Sequence, residues 1–344
     1  MSLSVRFFEP GDAPAWDGFV FRHPLGTPFH LTAWRASIQE TFGFRCLSLA
    51  AFREGNLAGA LPLFEVKNPL SGRALISSPF AVYGGALFDS PEAAAALRGA
   101  LERLGRELGV EYAELRNAFP EQQLGFAPVR RYVTFTHPIA SSGERIIAGL
   151  GRNARNMVRK ALRQPFTMER AASPDVFFDL YSRNLRRLGT PAFPRSHFEN
   201  LLKHYGDSAD IREVKLAGQT AAAVFTLYFR DQILPYYGAS DPAFNAAAPN
   251  NFMYFELMRW GAENGFHWFD FGRSKKEGSG SYAFKSHWGM TERELPYEML
   301  LVKRQSLPNF SPNNPRFDLA IRLWRRLPLA LTRLIGPPLI RWFP

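Results

Sequence analysis

The sequence has a single cysteine, Cys46, in 344 residues, so no internal disulfide can form. That excludes a disulfide-stapled secreted scaffold and fits a reducing compartment. No apolar run approaches the ~20 residues that a membrane-spanning helix needs. The opening stretch, Met1 to Arg6, lacks a basic segment followed by an apolar one, so no signal peptide is expected. The seven histidines have no paired metal-ligand spacing: neither His267 nor His287 has a second histidine or a cysteine three or four positions away. There is no Walker-type phosphate loop, no Gly-x-Gly-x-x-Gly after a strand and no Gly-x-Ser-x-Gly elbow. Kinase, P-loop and dinucleotide-binding classes therefore lose their main support. Acidic residues are also in short supply. Asp and Glu total 31 against 42 Lys and Arg, and a net charge of +11 implies attraction to nucleic acid, a phosphate-bearing substrate or acidic lipid.

What the chain does contain is ordinary globular material, 46% hydrophobic and 21% charged, long enough for two domains. It also repeats itself. Leu25-Gly26-Thr27-Pro28 recurs as Leu188-Gly189-Thr190-Pro191, an offset of 163 residues. Each copy leads into a helical stretch, Ala33 to Gly43 and Ser196 to Gly206. At the same offset, Gly55 and Gly218 each sit between two strand-like runs, as in a tight hairpin. Val82-Tyr83-Gly84-Gly85 and Tyr236-Tyr237-Gly238-Ala239 follow. Each copy closes with a helix and a strand: 97–108 with 109–116, and 252–263 with 265–273. Such ordered correspondence predicts two α/β lobes of one design, at about 1–140 and 150–305, with a linker over 139–144 and a separate tail, 306–344.

The densest segment lies in the second copy only, from Phe269 to Gly289. On a strand, Phe269 and Phe271 point one way and Asp270 the other. A buried Asp270 needs a partner, which Arg273 or Lys285 would supply. The stretch Lys275 to Ser281 is rich in glycine and serine, suited to wrapping an anion, or else a surface hairpin with solvated lysines. Tyr282, Phe284 and Trp288 anchor it at once.

Two basic segments stand out besides. Over Arg152 to Arg163, Ala154, Met157, Val158 and Ala161 form an apolar helical stripe, while Arg152, Arg155, Arg159 and Arg163 line another face. Like charges at that spacing repel, so phosphates of a substrate or tRNA, or carboxylates of the other lobe, should compensate them. Between Lys303 and Pro344 there are eight basic residues and one acid, Asp318. Arg mixed with Trp, Leu and Ile over 316–344 suits an anionic membrane surface, or a terminal helix packed on the first lobe with its arginines in water.

Asp270-Phe271-Gly272-Arg273-Ser274 with Phe284-Lys285-x-x-Trp288-Gly289 resembles the FemAB-related proteins of the exosortase/PEP-CTERM system of Gram-negative bacteria. The Arg152-Asn153-x-Arg155-Asn156 helix, the Leu188-Gly189-Thr190-Pro191 stretch and the tail resemble theirs too. The resemblance implies two tandem GNAT-like lobes and an acyl- or aminoacyltransferase of exopolysaccharide or cell-envelope synthesis. It would work in the cytoplasm or on the inner membrane. No cofactor is firmly implied; the donor is an activated anionic one, acyl-CoA or aminoacyl-tRNA, and the acceptor an amine on a lipid- or nucleotide-linked sugar. Neither a coiled-coil tRNA arm nor an Arg/Gln-x-x-Gly-x-Gly/Ala pyrophosphate loop is present, which leaves both donors open. On this basis Lys285 would stabilise negative charge, and Asp270 would handle a proton or orient Arg273. Arg273, Ser274, Tyr282 and Tyr237 would line the cleft, Asn250 and Asn251 would hydrogen-bond substrate, and Arg155 and Arg159 would meet phosphates. A catalytically silent glycan- or precursor-binding scaffold is the alternative.

Overall fold

The computed structural model describes residues 3–69, 72–276, 280–307 and 318–344. The chain divides into two compact units. One comprises Met1–Arg130, Leu295–Asp318 and Pro337–Pro344, the other Arg131–Glu294 and Leu319–Gly336.

The first unit opens with β1 (Leu3–Phe7), α1 (Ala13–Arg22), α2 (Thr32–Phe42), β2 (Arg45–Cys46), β3 (Leu49–Arg53) and β4 (Asn56–Leu61). It continues through β5 (Phe64–Asn68), β6 (Gly72–Ile76), β7 (Leu87–Phe88), α3 (Pro91–Leu108), β8 (Tyr112–Leu115) and β9 (Ala127–Val129). Local chemistry sets these elements. In α3, Ser90 Oγ accepts from the Ala93 N–H, Pro91 opens the first turn and Gly109 closes the helix at φ 58°. Its Leu97, Leu101 and Leu104 then form a buried stripe against Leu49, Leu61 and Leu75.

The second unit holds β10 (Tyr132–Pro138), α4 (Gly143–Gly149), α5 (Arg152–Ala161), β11 (Phe166–Arg170), α6 (Asp175–Leu188), α7 (Arg195–Tyr205) and β12 (Ala209–Leu216). Next come β13 (Gln219–Phe229), β14 (Gln232–Ser240), α8 (Pro249–Glu263), β15 (Trp268–Lys275), α9 (Gly280–Ser286) and β16 (Thr291–Glu294). The chain ends with β17 (Tyr297–Leu301), α10 (Asp318–Arg326) and α11 (Leu329–Ile340). The second unit's seven strands form one sheet in the order β11-β12-β13-β14-β15-β10-β16. On one face Val224 packs with Val158 of α5 and Met253 and Leu257 of α8. On the other, Phe225 meets Phe198 of α7, and Phe198 meets Phe177 of α6.

The internal repeat is a repeat of conformation. Both hairpins turn on a residue pair with positive φ, Glu54 and Gly55 at 51° and 80°, Ala217 and Gly218 at 50° and 77°. Two consecutive left-handed residues make the turn whose twist matches antiparallel strands. The division between units falls at Arg130, not in the 139–144 stretch. Tyr132–Pro138 has strand pairing to satisfy, and finds it along β15 and β16. Conversely β17 pairs with β8 and β9, so it belongs with the first unit. The tail is not a body of its own: 319–336 groups with the second unit and 337–344 with the first.

Candidate active site in the second unit

β14 and β15 run parallel but pair only at Gln232 with Trp268 and Ile233 with Phe269. Beyond those two rungs they no longer pair with each other, although β14 stays paired with β13 up to Ser240 and β15 with β10 up to Lys275. Two parallel strands that part midway leave unpaired backbone groups facing each other, a natural place for an extended ligand to add its own hydrogen bonds.

Both strands are bulged there. Thr134 pairs with Arg273 but Thr136 with Asp270, so one β10 residue faces two on β15. The extra residue is accommodated at Gly272, whose φ of +66° suits glycine. The Asp270 carboxylate fixes this bulge: Oδ1 accepts from the Gly272 N–H at 2.7 Å and from Thr134 Oγ1 at 3.2 Å. Across the β13–β14 pair, Phe225 meets Tyr237 but Thr226 meets Pro235, which leaves Tyr236 as an extra residue on β14.

The β15 bulge turns three carbonyls out of the ladder, and Lys285 of α9 collects them. Its ammonium donates to the oxygens of Phe271, Gly272 and Arg273 at 2.6, 3.1 and 3.1 Å. Burial pulls the Lys285 ammonium down to about 8, opposed by Asp270 and reinforced by Arg273. A positive charge is thus held at the mouth of the parted strands. The aromatic anchor under α9 is close-packed. Trp288 is fully buried, and its ring lies 5.4 Å from Phe271 and 5.9 Å from Phe284 and Tyr254. Its indole N–H has no hydrogen-bond partner among the described residues.

The other expected residues fall in several places. Ser274 is buried with its hydroxyl 3.3 Å from that of Ser281, and Tyr282 donates to Glu292 at 2.8 Å. That bond to a carboxylate raises the Tyr282 phenol. The Arg273 guanidinium lies over the Tyr132 ring at 4.5 Å. Together with Asp270 and Lys285 these form one β15–α9 cluster. Residues 277–279 of the expected anion-wrapping stretch lie outside the described residues.

Tyr237 belongs to a different group, facing α6 and α7. Its hydroxyl is 3.1 Å from His197 Nε2, and its ring meets those of Tyr181, Phe193 and Phe198. Burial drives the His197 imidazole down to about 3 and the Tyr237 phenol well above its ordinary range, so both are neutral at physiological pH. Asn250 donates to Ser240 Oγ at 2.9 Å where β14 ends, and Asn251 is buried in the first turn of α8.

On α5, Ala154, Val158 and Ala161 are buried as the stripe predicts, while Met157 is exposed. Arg155 donates through one guanidinium nitrogen to the carbonyls of Ala148 and Leu150, closing α4. Arg152, Arg159, Lys160 and Arg163 are exposed and bond to no carboxylate among the described residues. This helix starts on the site's own segment: the Gly151 N–H donates to the Trp288 carbonyl at 3.3 Å. A Cβ at Gly151 would lie 2.4 Å from the His287 oxygen.

Sequence reasoning missed Tyr254. From α8 its ring meets Phe271 edge-to-face, and its hydroxyl lies 3.1 Å from where a Cβ on Gly238 would sit, which brings it up to β14. Burial pushes this phenol up to about 12. In sequence Tyr254 looks like one more aromatic of an apolar helix, and only the parting of the strands marks it. His197 left no signal either.

The first unit shows the same strand design, with the equivalent space filled among the described residues. β6 and β8 pair in parallel from Ala74 with Tyr112 to Ile76 with Glu114. Beyond that point side chains fill the space. A Cβ on Gly85 would lie 1.9 Å from Asn117 Oδ1, and Tyr297 donates to the Val82 carbonyl. Glu298 accepts from Asn117 Nδ2 and from the N–H groups of Leu124, Gly125 and Phe126.

Comparison with known proteins agrees with this topology. Residues 150–286 match the acetyltransferase (GNAT) domain family. Among solved structures, FemX superposes with a TM-score of 0.69 at 18% identity, covering 92% of this chain and 100% of its own. The C-terminal domain of a lysylphosphatidylglycerol synthetase candidate from Agrobacterium fabrum gives 0.57 at 13%, with 91% and 94% covered. A tandem GNAT protein from the clavulanic acid biosynthesis pathway gives 0.53 at 10%, with 89% and 100% covered. No curated protein matches the sequence. The protein is therefore a mixed α/β molecule of two GNAT-like lobes in tandem, an acyltransferase fold.

Proposed function

We propose that this protein is an N-acyltransferase acting from the parted β14–β15 strands of its second lobe. It would move an acyl or aminoacyl group from an anionic ester or thioester donor to an amine, in exopolysaccharide or cell-envelope synthesis. The observation that carries this reading is the buried positive charge of Lys285, held by three bulge carbonyls where the strands separate. Charge fixed in advance beside a site of developing negative charge is the largest single contribution in acyl transfer. The close packing of the equivalent region in the first lobe supports placing the reaction in the second. The likeness to FemX and to the lysylphosphatidylglycerol synthetase candidate favours transfer of an acyl or aminoacyl group over other GNAT-fold chemistry.

In this scheme the donor lies along the open edges of β14 and β15, with its phosphates toward Arg152, Arg159, Lys160 and Arg163. The acceptor amine attacks the donor carbonyl; a C–N bond forms and the C–O or C–S bond breaks. Lys285 lowers the energy of the oxyanion, while Asp270 holds the bulge and, by its charge, Lys285. The Tyr254 phenol, kept protonated by burial, gives its proton to the leaving oxygen or sulfur, and the proton released by the amine restores the phenol. Tyr237 and His197, both neutral, would form the acceptor side through α6 and α7. We place the protein on the cytoplasmic side; among the described residues no helix is long and apolar enough to cross a membrane. The decisive experiment incubates the protein with acyl-CoAs or aminoacyl-tRNAs and amino-sugar acceptors, and follows product mass. Amide formation lost in Lys285→Ala supports the reading. Sugar binding with no transfer from either donor class would overturn it in favour of a silent scaffold.

A further inference from the structure

α10 and α11 lie on the outer side of α6. Arg333 of α11 forms an ion pair with Asp179 and donates to Ser182 Oγ at 2.9 Å, both on α6. Arg325 of α10 donates to the Leu188 carbonyl, and Ile321 packs so closely on Gly189 that a Cβ there would meet it at 2.5 Å. Trp324 of α10 and Thr332 of α11 are buried. On the opposite faces of both helices leucines are bare: Leu319, Leu323 and Leu334 are 63%, 54% and 73% exposed. Leu319 and Leu323 lie one turn apart on α10, so they share a face.

Single exposed leucines are common, but a set of them on two consecutive short helices is not. Their surroundings are positive. Arg322, Arg325 and Arg326 alternate with the leucines on α10, and α6 ends in Arg186 and Arg187. Of these, Arg186, Arg187, Arg325 and Arg326 bond to no carboxylate among the described residues. The α6 acids are already neutralised, Asp175 by Arg195 and Asp179 by Arg183 and Arg333. Bare leucine among arginines is the chemistry of a helix lying in the headgroup layer: leucine enters the acyl boundary and arginine meets lipid phosphates.

We infer that the outer face of α10 and α11 docks on an anionic lipid surface. The loop following α6 lies between this face and the candidate site. Gly189 touches Ile321, Ala192 touches Gly336, and the Phe193 ring lies 5.5 Å from that of Tyr237. Docking would therefore set Tyr237 and His197 next to a lipid-borne acceptor. That consequence rests on the transferase reading, whereas the docking does not, so the two fail separately.

The test is co-sedimentation of the whole protein with vesicles of neutral phosphatidylcholine, and of the same lipid with a third phosphatidylglycerol. The expected result is binding to the anionic vesicles only. It should fall more than about tenfold in the triple variant Leu319→Ser, Leu323→Ser, Leu334→Ser, with an unchanged melting temperature. Arg322→Gln with Arg326→Gln gives the same loss if the serine variant proves unstable. Charge removal on α5 (Arg159→Gln, Arg163→Gln) should leave vesicle binding intact. No binding to anionic vesicles, or binding abolished by the α5 changes and kept in both tail variants, would overturn the inference.

Discussion

The Lys285 ammonium lies 2.6 Å from the Phe271 carbonyl oxygen, and that contact ties α9 to the bulge of β15. All three of its N–H groups donate to consecutive carbonyls, so one side chain both completes the backbone hydrogen bonding of the bulge and brings a charge to the parted strands. Removing it should show twice. Lys285→Met leaves carbonyls unsatisfied, at a cost of about 1–3 kcal/mol measurable by denaturant unfolding. It should also lower kcat by about 100-fold or more. A stability loss with unchanged kcat would confine Lys285 to a structural role.

The same burial that holds the charge also makes it titratable. Lys285 titrates near 8, below its ordinary value, so it is protonated at neutral pH and loses its charge as pH rises through about 8. Activity should therefore fall on the alkaline side with an apparent pKa near 8. Stability moves the other way. Between about 8 and the unfolded value the unfolded chain binds more protons, so the cost of the buried charge is relieved as pH rises. Lys285→Arg should move the alkaline limb upward if it folds; a limb unmoved by this change would assign the titration elsewhere.

Gly272 is held at +66° by the bulge, with its N–H on Asp270. An alanine there should cost about 1–2 kcal/mol. For a domain of this size that corresponds to a melting temperature lower by roughly 2–8 °C. Asp270→Asn removes the negative charge that supports the Lys285 ammonium, so the alkaline limb should shift to lower pH. A pH profile identical to that of the parent protein would show that Asp270 acts only on the backbone.

Arg152, Arg159 and Lys160 lie exposed on a helix that begins against Trp288, and Arg163 lies exposed just past its end. Replacing all four with glutamine should raise KM for a phosphate-bearing donor and flatten its salt dependence, with kcat little changed. Titration of donor binding across ionic strengths checks this. Arg155→Gln should instead act on stability, since Arg155 closes α4.

Tyr254 reaches Gly238 across the opening between the strands. Gly238→Ala would place a methyl 3.1 Å from the phenol oxygen and should narrow the site, raising KM for the donor. Tyr254→Phe keeps the ring packing on Phe271 and Trp288, so melting should change little while kcat falls by about tenfold or more. Unaltered kinetics in Tyr254→Phe would remove it from proton transfer.

The α/β character, the two-copy design, the paired glycine hairpins and the buried stripe of α5 could all be read from the sequence. Each rests on periodicity or on a residue's own backbone preference, and these act over a few neighbouring positions. Phe269 to Gly289 was recognisable as the segment to watch because its aromatics and its Asp, Arg and Lys are close in sequence. Other features came only from the tertiary structure. Strand exchange decided where the units divide, because Tyr132–Pro138 and Tyr297–Leu301 each pair with partners distant in sequence. The parting of β14 and β15, the approach of Tyr254 to Gly238 and the His197–Tyr237 pair are long-range events that no local pattern encodes. Arg155 and Arg159 look alike in sequence, yet one closes a helix and the other stays exposed, because the position of α4 decides which guanidinium finds carbonyls to bond.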